Sequence, residues 1–156
     1  MIMSDTVSAE REFTIQRLFL KDLSFETPTG PEIFKTAWKP KINLDVNTKH
    51  KQLEESIFEV VLTLTVTAKL EEEDQTGFLA EVHYGGIFTC KGIEGDQLKQ
   101  VLSTVAPNII FPYARETIDS AVTKATFPPL MLAPINFDAL YQQAMKQQQE
   151  KTTQTH

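Results

Sequence analysis

The sequence predicts an α+β domain in which helices cover one face of an antiparallel sheet. Apolar residues alternate with a period of two up to about residue 90, and from residue 96 they recur at helical spacing. Every strand precedes every helix, which is the order of an α+β domain. A chain of 156 residues is one domain by size, large enough to bury a core without disulfides. That domain is expected over 11–141. Residues 1–10 are polar and without period, so a mobile N-terminus is expected.

The first strand is expected over 12–20, with Phe13, Ile15 and Phe19 on one face and Leu18 and Leu20 on the other. A strand apolar on both faces is either central or covered by a partner. The stretch 22–41 contains Pro28, Gly30, Pro31 and Pro40 and reads as a long loop, yet it carries Phe25, Ile33, Phe34 and Trp38. Strands follow at 42–47, 57–69 and 78–90. In the second of these, Phe58, Val60, Leu62, Leu64, Val66 and Ala68 oppose Glu59, Thr63, Thr65, Thr67 and Lys69. In the third, Phe78, Ala80, Val82, Tyr84 and Phe88 oppose Leu79, Glu81, His83 and Thr89. Residues 71–77 are their turn, and Gly85-Gly86 are expected to bend or bulge the last strand.

Asp96 is the expected cap of a first helix carrying Leu98, Val101, Leu102 and Val105. Asn108 is the expected cap of a second, running to about Lys124 with an apolar stripe of Ile110, Ala114, Ile118, Ala121, Val122 and Ala125. Pro112 then falls near its first turn. Asn136 is the expected cap of a short third helix. Residues 142–156 hold six Gln and no aromatic, so a frayed or disordered tail is expected.

Composition narrows the function. Cys90 is the only cysteine, which removes a disulfide framework and any multi-cysteine metal site. No apolar run has the length of a signal peptide or a membrane span, so a cytoplasmic protein with no membrane insertion is expected. The net charge of −6 resides in residues 1–95, which hold 16 acidic and 10 basic side chains against 5 and 5 in the remainder. Nucleic-acid binding needs a basic footprint, and this distribution suits a basic protein partner instead. No glycine-rich phosphate loop or catalytic triad spacing is present. His83 reads as a solvated surface histidine and Cys90 as a small apolar residue. The acidic run 71–74 reads as a hairpin tip rather than a calcium loop. No catalytic residue, metal or cofactor is expected.

The unusual feature is the set of large apolar residues in or beside proline-rich segments: Phe25, Phe34, Trp38, Phe111, Tyr113, Phe127, Leu130, Met131 and Leu132. Each alone is as easily a loop wrapped on the core; together they suggest the lining of a groove. The stretches FTIQRLFLKDLSFETP (13–28), EVVLTLTVTA (59–68), GGIFTCKGIEG (85–95), APNIIFPYARETI (106–118) and TFPPLMLAPINFDALY (126–141) closely resemble the SecB protein-export chaperones. The resemblance implies a four-stranded antiparallel sheet with helices on one face, and a homotetramer assembled as a dimer of dimers. It implies an ATP-independent holdase that binds unfolded preproteins and passes them to the SecA translocation motor. It further implies a peptide groove over Phe25, Phe34, Trp38, Ile42, Ile110, Phe111, Tyr113, Phe127, Leu130 and Leu132. Motor docking is implied at Asp22, Glu26, Leu79 and Glu81, and subunit contacts at Ala80, Val82 and Tyr84 with 96–106. Zinc in that system belongs to the motor. The tail departs from relatives that end in acidic residues. The competing readings are a lipid or small-molecule carrier, which would enclose an aromatic-lined pocket and work as a monomer, and a catalytic domain with an unrecognised carboxylate pair.

Overall fold

The computed structural model describes residues 10–71 and 74–154. The strands are β1 (Glu12–Glu26), β2 (Pro40–Glu54), β3 (Ile57–Leu70) and β4 (Gln75–Lys91). A 3₁₀ helix (Gly30–Lys35) joins β1 to β2, and α1 (Gly95–Ser103), α2 (Val105–Lys124) and α3 (Phe137–Gln154) follow. The sheet order is β1-β4-β3-β2 with every pair antiparallel, so β1 and β2 are the edges. This is the predicted α+β architecture.

The alternation in β3 and β4 decides the layering. Phe58, Val60, Leu62, Leu64, Val66 and Ala68 of β3 and Phe78, Ala80, Val82 and Phe88 of β4 are buried on the helix side. The stripe of α2 closes this layer with Ile110, Ala114, Ile118 and Val122. The opposite face carries Thr63, Thr65, Thr67, Glu81 and His83 and is wetter. Cys90 is buried, and its burial pushes the thiol pKa up, away from nucleophilic use.

Element ends differ from expectation for local reasons. The strand β1 runs to Glu26, taking in the first quarter of the expected loop, because it pairs along almost the whole of β4. Bulges at Gln16 and Lys21 reset its alternation. Pairing puts Phe13, Ile15, Leu18 and Leu20 opposite Cys90, Phe88, Gly86 and Tyr84 on the helix side, while Phe19 turns to the outer face. Gly85 and Gly86 do not bulge β4, whose register with β3 continues through them. They make room for rings: a Cβ at Gly85 would lie 2.7 Å from Phe19, and one at Gly86 2.6 Å from Phe88.

Glu94, not Asp96, occupies the cap position of α1. Thr104 stands between α1 and α2, its hydroxyl donating to the Gln100 carbonyl at 2.7 Å. The second helix therefore starts before Asn108, and Pro112 lies in its interior. There the proline leaves the Asn108 carbonyl without its usual donor. Asn136 does cap α3, its Oδ1 accepting from the Ala139 amide at 2.9 Å. The third helix is longer than expected and continues through the glutamine-rich stretch to Gln154, with every side chain from Gln142 to Thr152 exposed. The expected mobile N-terminus concerns residues that lie, but for Glu10, outside those described.

Candidate functional site

Aromatic rings converge at the end of the sheet where β1 finishes and β4 begins. Phe25, at the end of β1, stacks on Phe78 of β4 with centroids 5.4 Å apart. Phe78 meets Phe127, from the segment after α2, at 5.3 Å, and Trp38 at 6.1 Å. Trp38 and Phe127 are 4.6 Å apart, and Phe34 of the 3₁₀ helix extends the row, 5.4 Å from Phe127. The row runs from buried Phe78 outward through half-buried Phe25 and Trp38 to Phe34, which is 54% exposed.

Backbone features hold the row in place. Gly77 is the extra residue of a β4 bulge, skipped between the Ala68–Phe78 and Lys69–Thr76 pairs. Its missing side chain is the seat of Trp38, whose ring carbons would be 2.6 and 2.7 Å from a Cβ there. Thr29 ties the β1–β2 connection to β4, its hydroxyl donating to the Thr76 carbonyl at 2.8 Å. The proline-rich segment 126–135 is fixed to α2 on both sides of Met131. The Leu130 amide donates to Asp119 Oδ1 at 3.0 Å, and Arg115 Nη1 donates to the Leu132 carbonyl at 3.3 Å. Between these anchors Met131 has φ 51° and is 77% exposed. A thioether held outward in this way suits adaptable apolar contact.

The expected groove residues therefore divide. Phe25, Phe34, Trp38 and Phe127 come together, whereas Leu130 and Leu132 are half-buried against the core at large. Ile42 is exposed on β2, opposite Ala68 and so in line with Phe78. Ile110 is 0% exposed and Phe111 is buried against Phe137 and Arg115, so both belong to the core and offer no surface to a peptide. Ile110 lies on the apolar stripe of α2 that packs on the sheet, which is why the expectation of a groove residue fails there. Tyr113 is exposed but stacks on Tyr84 at 6.0 Å, roughly 20 Å along β4 from Phe78 at about 3.3 Å per residue. Gly77 and Phe78 are the site residues the sequence did not reveal as such; the Thr-Gly before an apolar strand was the only trace.

The outer face brings the expected carboxylates together. Asp22 pairs with His83, Ser24 with Glu81 and Glu26 with Leu79, so Asp22, Glu26, Leu79 and Glu81 share one end of two adjacent strands. Thr65 donates to Glu81 Oε1 at 2.9 Å, and His83 lies 3.1 Å from Glu81 Oε2 and 3.0 Å from Thr63 Oγ1. The hydrogen bond from His83, then that from Thr65, holds the Glu81 pKa below the usual carboxylate value. A lowered pKa keeps the negative charge as pH falls through the ordinary carboxylate range and loses it only below. His83→Ala should therefore raise the midpoint of a carbon-detected NMR titration of the Glu81 carboxyl; an unmoved midpoint would contradict this account.

The expected subunit contacts need correction. Ala80 and Val82 lie beneath α2 and are buried within the chain itself, so neither has surface to offer a second copy. Tyr84 is half-buried; the exposed apolar residues paired with it and with Val82 are Leu20 and Leu23 on the β1 edge, with exposed Ile15 further along the same strand.

Among the described residues no group of three or more His, Cys, Asp or Glu is arranged to hold a metal ion, and no helix is long and apolar enough to cross a membrane. Fold and surfaces together define a binding domain that presents aromatic rings at one corner and ordered charge on its bare sheet face. The family described as preprotein translocase subunit SecB matches residues 6–148. The protein-export protein SecB of Marinobacter nauticus is 51% identical over 151 residues, covering 93% of this chain and 90% of that protein. That of Stutzerimonas stutzeri is 54% identical over 138 residues, covering 88% and 83%. A SecB-like chaperone of Mycobacterium tuberculosis, solved in complex with a ChAD peptide from the HigA1 antitoxin, shares the fold with a TM-score of 0.65 at 17% identity, over 85% of this chain and 95% of that one. The chain belongs to the SecB family of protein-export chaperones.

Proposed function

We propose that this chain is a cytoplasmic, ATP-independent holdase that grips unfolded preproteins on the Phe25–Phe78–Trp38–Phe127–Phe34 row. The observation that carries the reading is that row itself, which grades from core to solvent instead of closing over. Its centroids are 4.6–6.1 Å apart, so the rings pack on one another and enclose no void for a carried lipid. A client segment covering about 500 Å² of apolar surface gains on the order of 12 kcal/mol gross at about 25 cal/mol/Å². Ordering the client costs about 1–2 kcal/mol per residue, so one short segment binds modestly. Several such rows on a homotetramer would tighten the grip through multivalency, with no sequence-specific contact and no nucleotide.

Assembly is proposed through the β1 edge. A 15-residue edge strand with exposed Ile15, Leu20 and Leu23 is an open template for a second strand, whereas β2 carries Lys41, Lys49 and Lys51, which blunt its edge. Transfer to the SecA motor is proposed at Asp22, Glu26, Leu79 and Glu81. Exposed ion pairs contribute only about 0–1 kcal/mol each, so several act together and weaken as salt rises.

Trp38 is the only tryptophan, so its emission tests the groove directly. Adding a permanently unfolded polypeptide should shift and intensify Trp38 fluorescence, and Phe34→Asp should weaken binding several-fold while leaving the fold intact. Silent fluorescence together with unchanged affinity in Phe34→Asp would remove the groove from this surface.

A further inference from the structure

The outer face has a second, basic end. Register places its side chains in rows across the sheet. One row holds Arg17, Ile87, Glu59 and Lys51; the next holds Phe19, Gly85, Val61 and Lys49. Lys21, on a bulge, reaches back to Glu59 at 3.0 Å, and Lys51 approaches the same carboxylate from the other edge at 3.8 Å. Lys49 and Arg17 have no carboxylate at ion-pair distance among the described residues. Two shallow depressions adjoin here, both bordered by Lys21, Lys49 and Val61.

We propose that this basic end is a docking strip for a short acidic run in a partner polypeptide. Glu59 already shows the mode of contact, a carboxylate taken between lysines from both edges of the sheet. A partner's carboxylate set between Lys49 and Lys51 would be held the same way by two ammonium groups, here both from the β2 edge, on the solvent side of the sheet. The length is limited on both sides. Glu54 lies beyond one end, and Asp22, Glu81 and Asp45 occupy the rows beyond the other. The two basic rows span roughly 7 Å at about 3.3 Å per residue, so two or three extended residues fit. A longer polyanion such as a nucleic acid would run onto carboxylates in either direction. A partner whose acidic run adjoins a basic one would match the whole face. This last step rests on the acidic end being the motor-docking surface proposed above.

Four labelled peptides test it by fluorescence anisotropy at low salt: one all-basic, two with three glutamates on one or the other side of the same basic run, and one bearing the glutamates alone. The glutamate run should tighten binding about fivefold to tenfold in one order. Lys49→Ala with Lys51→Ala should abolish that gain and leave the all-basic peptide bound at least as tightly, since it removes like charge from the face. A gain that is absent in both orders, or that survives the double substitution, overturns the proposal, as does displacement of the glutamates by a short oligonucleotide at equal concentration. If the all-basic peptide does not bind, the acidic end fails on its own account. The basic strip is then judged by the glutamate peptide, which must bind the unmodified chain more tightly than the double variant.

Discussion

Gly77→Ala should lower affinity for an unfolded client about tenfold while the domain stays folded. The backbone at Gly77 does not require glycine, since its φ is not among the positive values. The new Cβ meets Trp38 ring carbons at 2.6 and 2.7 Å, closer than real contacts allow, with the Ala68 carbonyl behind it at 3.4 Å. The indole is the part that can move, and it must leave its place between Phe78 and Phe127. An aromatic pair contributes about 0.5–1.5 kcal/mol beyond its area, and about 1.4 kcal/mol is a tenfold change in affinity. The Trp38 emission of the free protein should shift to the red at the same time. If emission shifts while affinity for a permanently unfolded polypeptide is unchanged, Trp38 is a bystander and the client surface lies elsewhere.

If the proposed homotetramer forms through β1, Leu20→Lys combined with Leu23→Lys should convert it to monomers at micromolar concentration, read as mass by light scattering. Both leucines are exposed at the β1 edge, opposite Tyr84 and Val82 and so on the helix side of the sheet. A second copy pairing along β1 would bury them, and buried unpaired charge costs about 3–5 kcal/mol, enough to lose assembly by two orders of magnitude or more. Circular dichroism should remain that of the folded domain. Val82→Asp makes the contrast. Val82 is 0% exposed, so the carboxylate enters the core and the chain unfolds instead of dissociating cleanly. An unchanged mass in the double lysine variant would move the interface away from β1.

Much of the framework could be read from residues alone because it depends on local period. The alternation of Val60, Leu62, Leu64 and Val66 fixes which face of β3 turns inward, whatever packs there. The stripe Ile110, Ala114, Ile118 and Val122 does the same for α2, and Asn136 starts α3 as a cap should. The same alternation put Leu79 and Glu81 outward, and the cross-strand pairs with Glu26 and Ser24 then joined them to the β1 carboxylates. Prolines at 28, 31 and 40 located the β1–β2 connection, though Pro40 begins β2 instead of preceding it by two residues.

Tertiary structure decided what local pattern cannot carry. The length of β1 depends on a partner, β4, some sixty residues away, so a chain that looked like loop from Asp22 onward is strand to Glu26. Bulges at Gln16 and Lys21 exist only against that partner, and they reversed which side chains of β1 face the helices. Apolar character in a proline-rich segment does not distinguish a ring displayed to solvent from one that finishes the core. Phe34 and Phe111 look alike in sequence and end 54% exposed and buried. Nor does an alternating strand reveal whether its apolar phase meets a helix of its own chain or another copy. For Ala80 and Val82 the answer is α2, which seals both inside the chain.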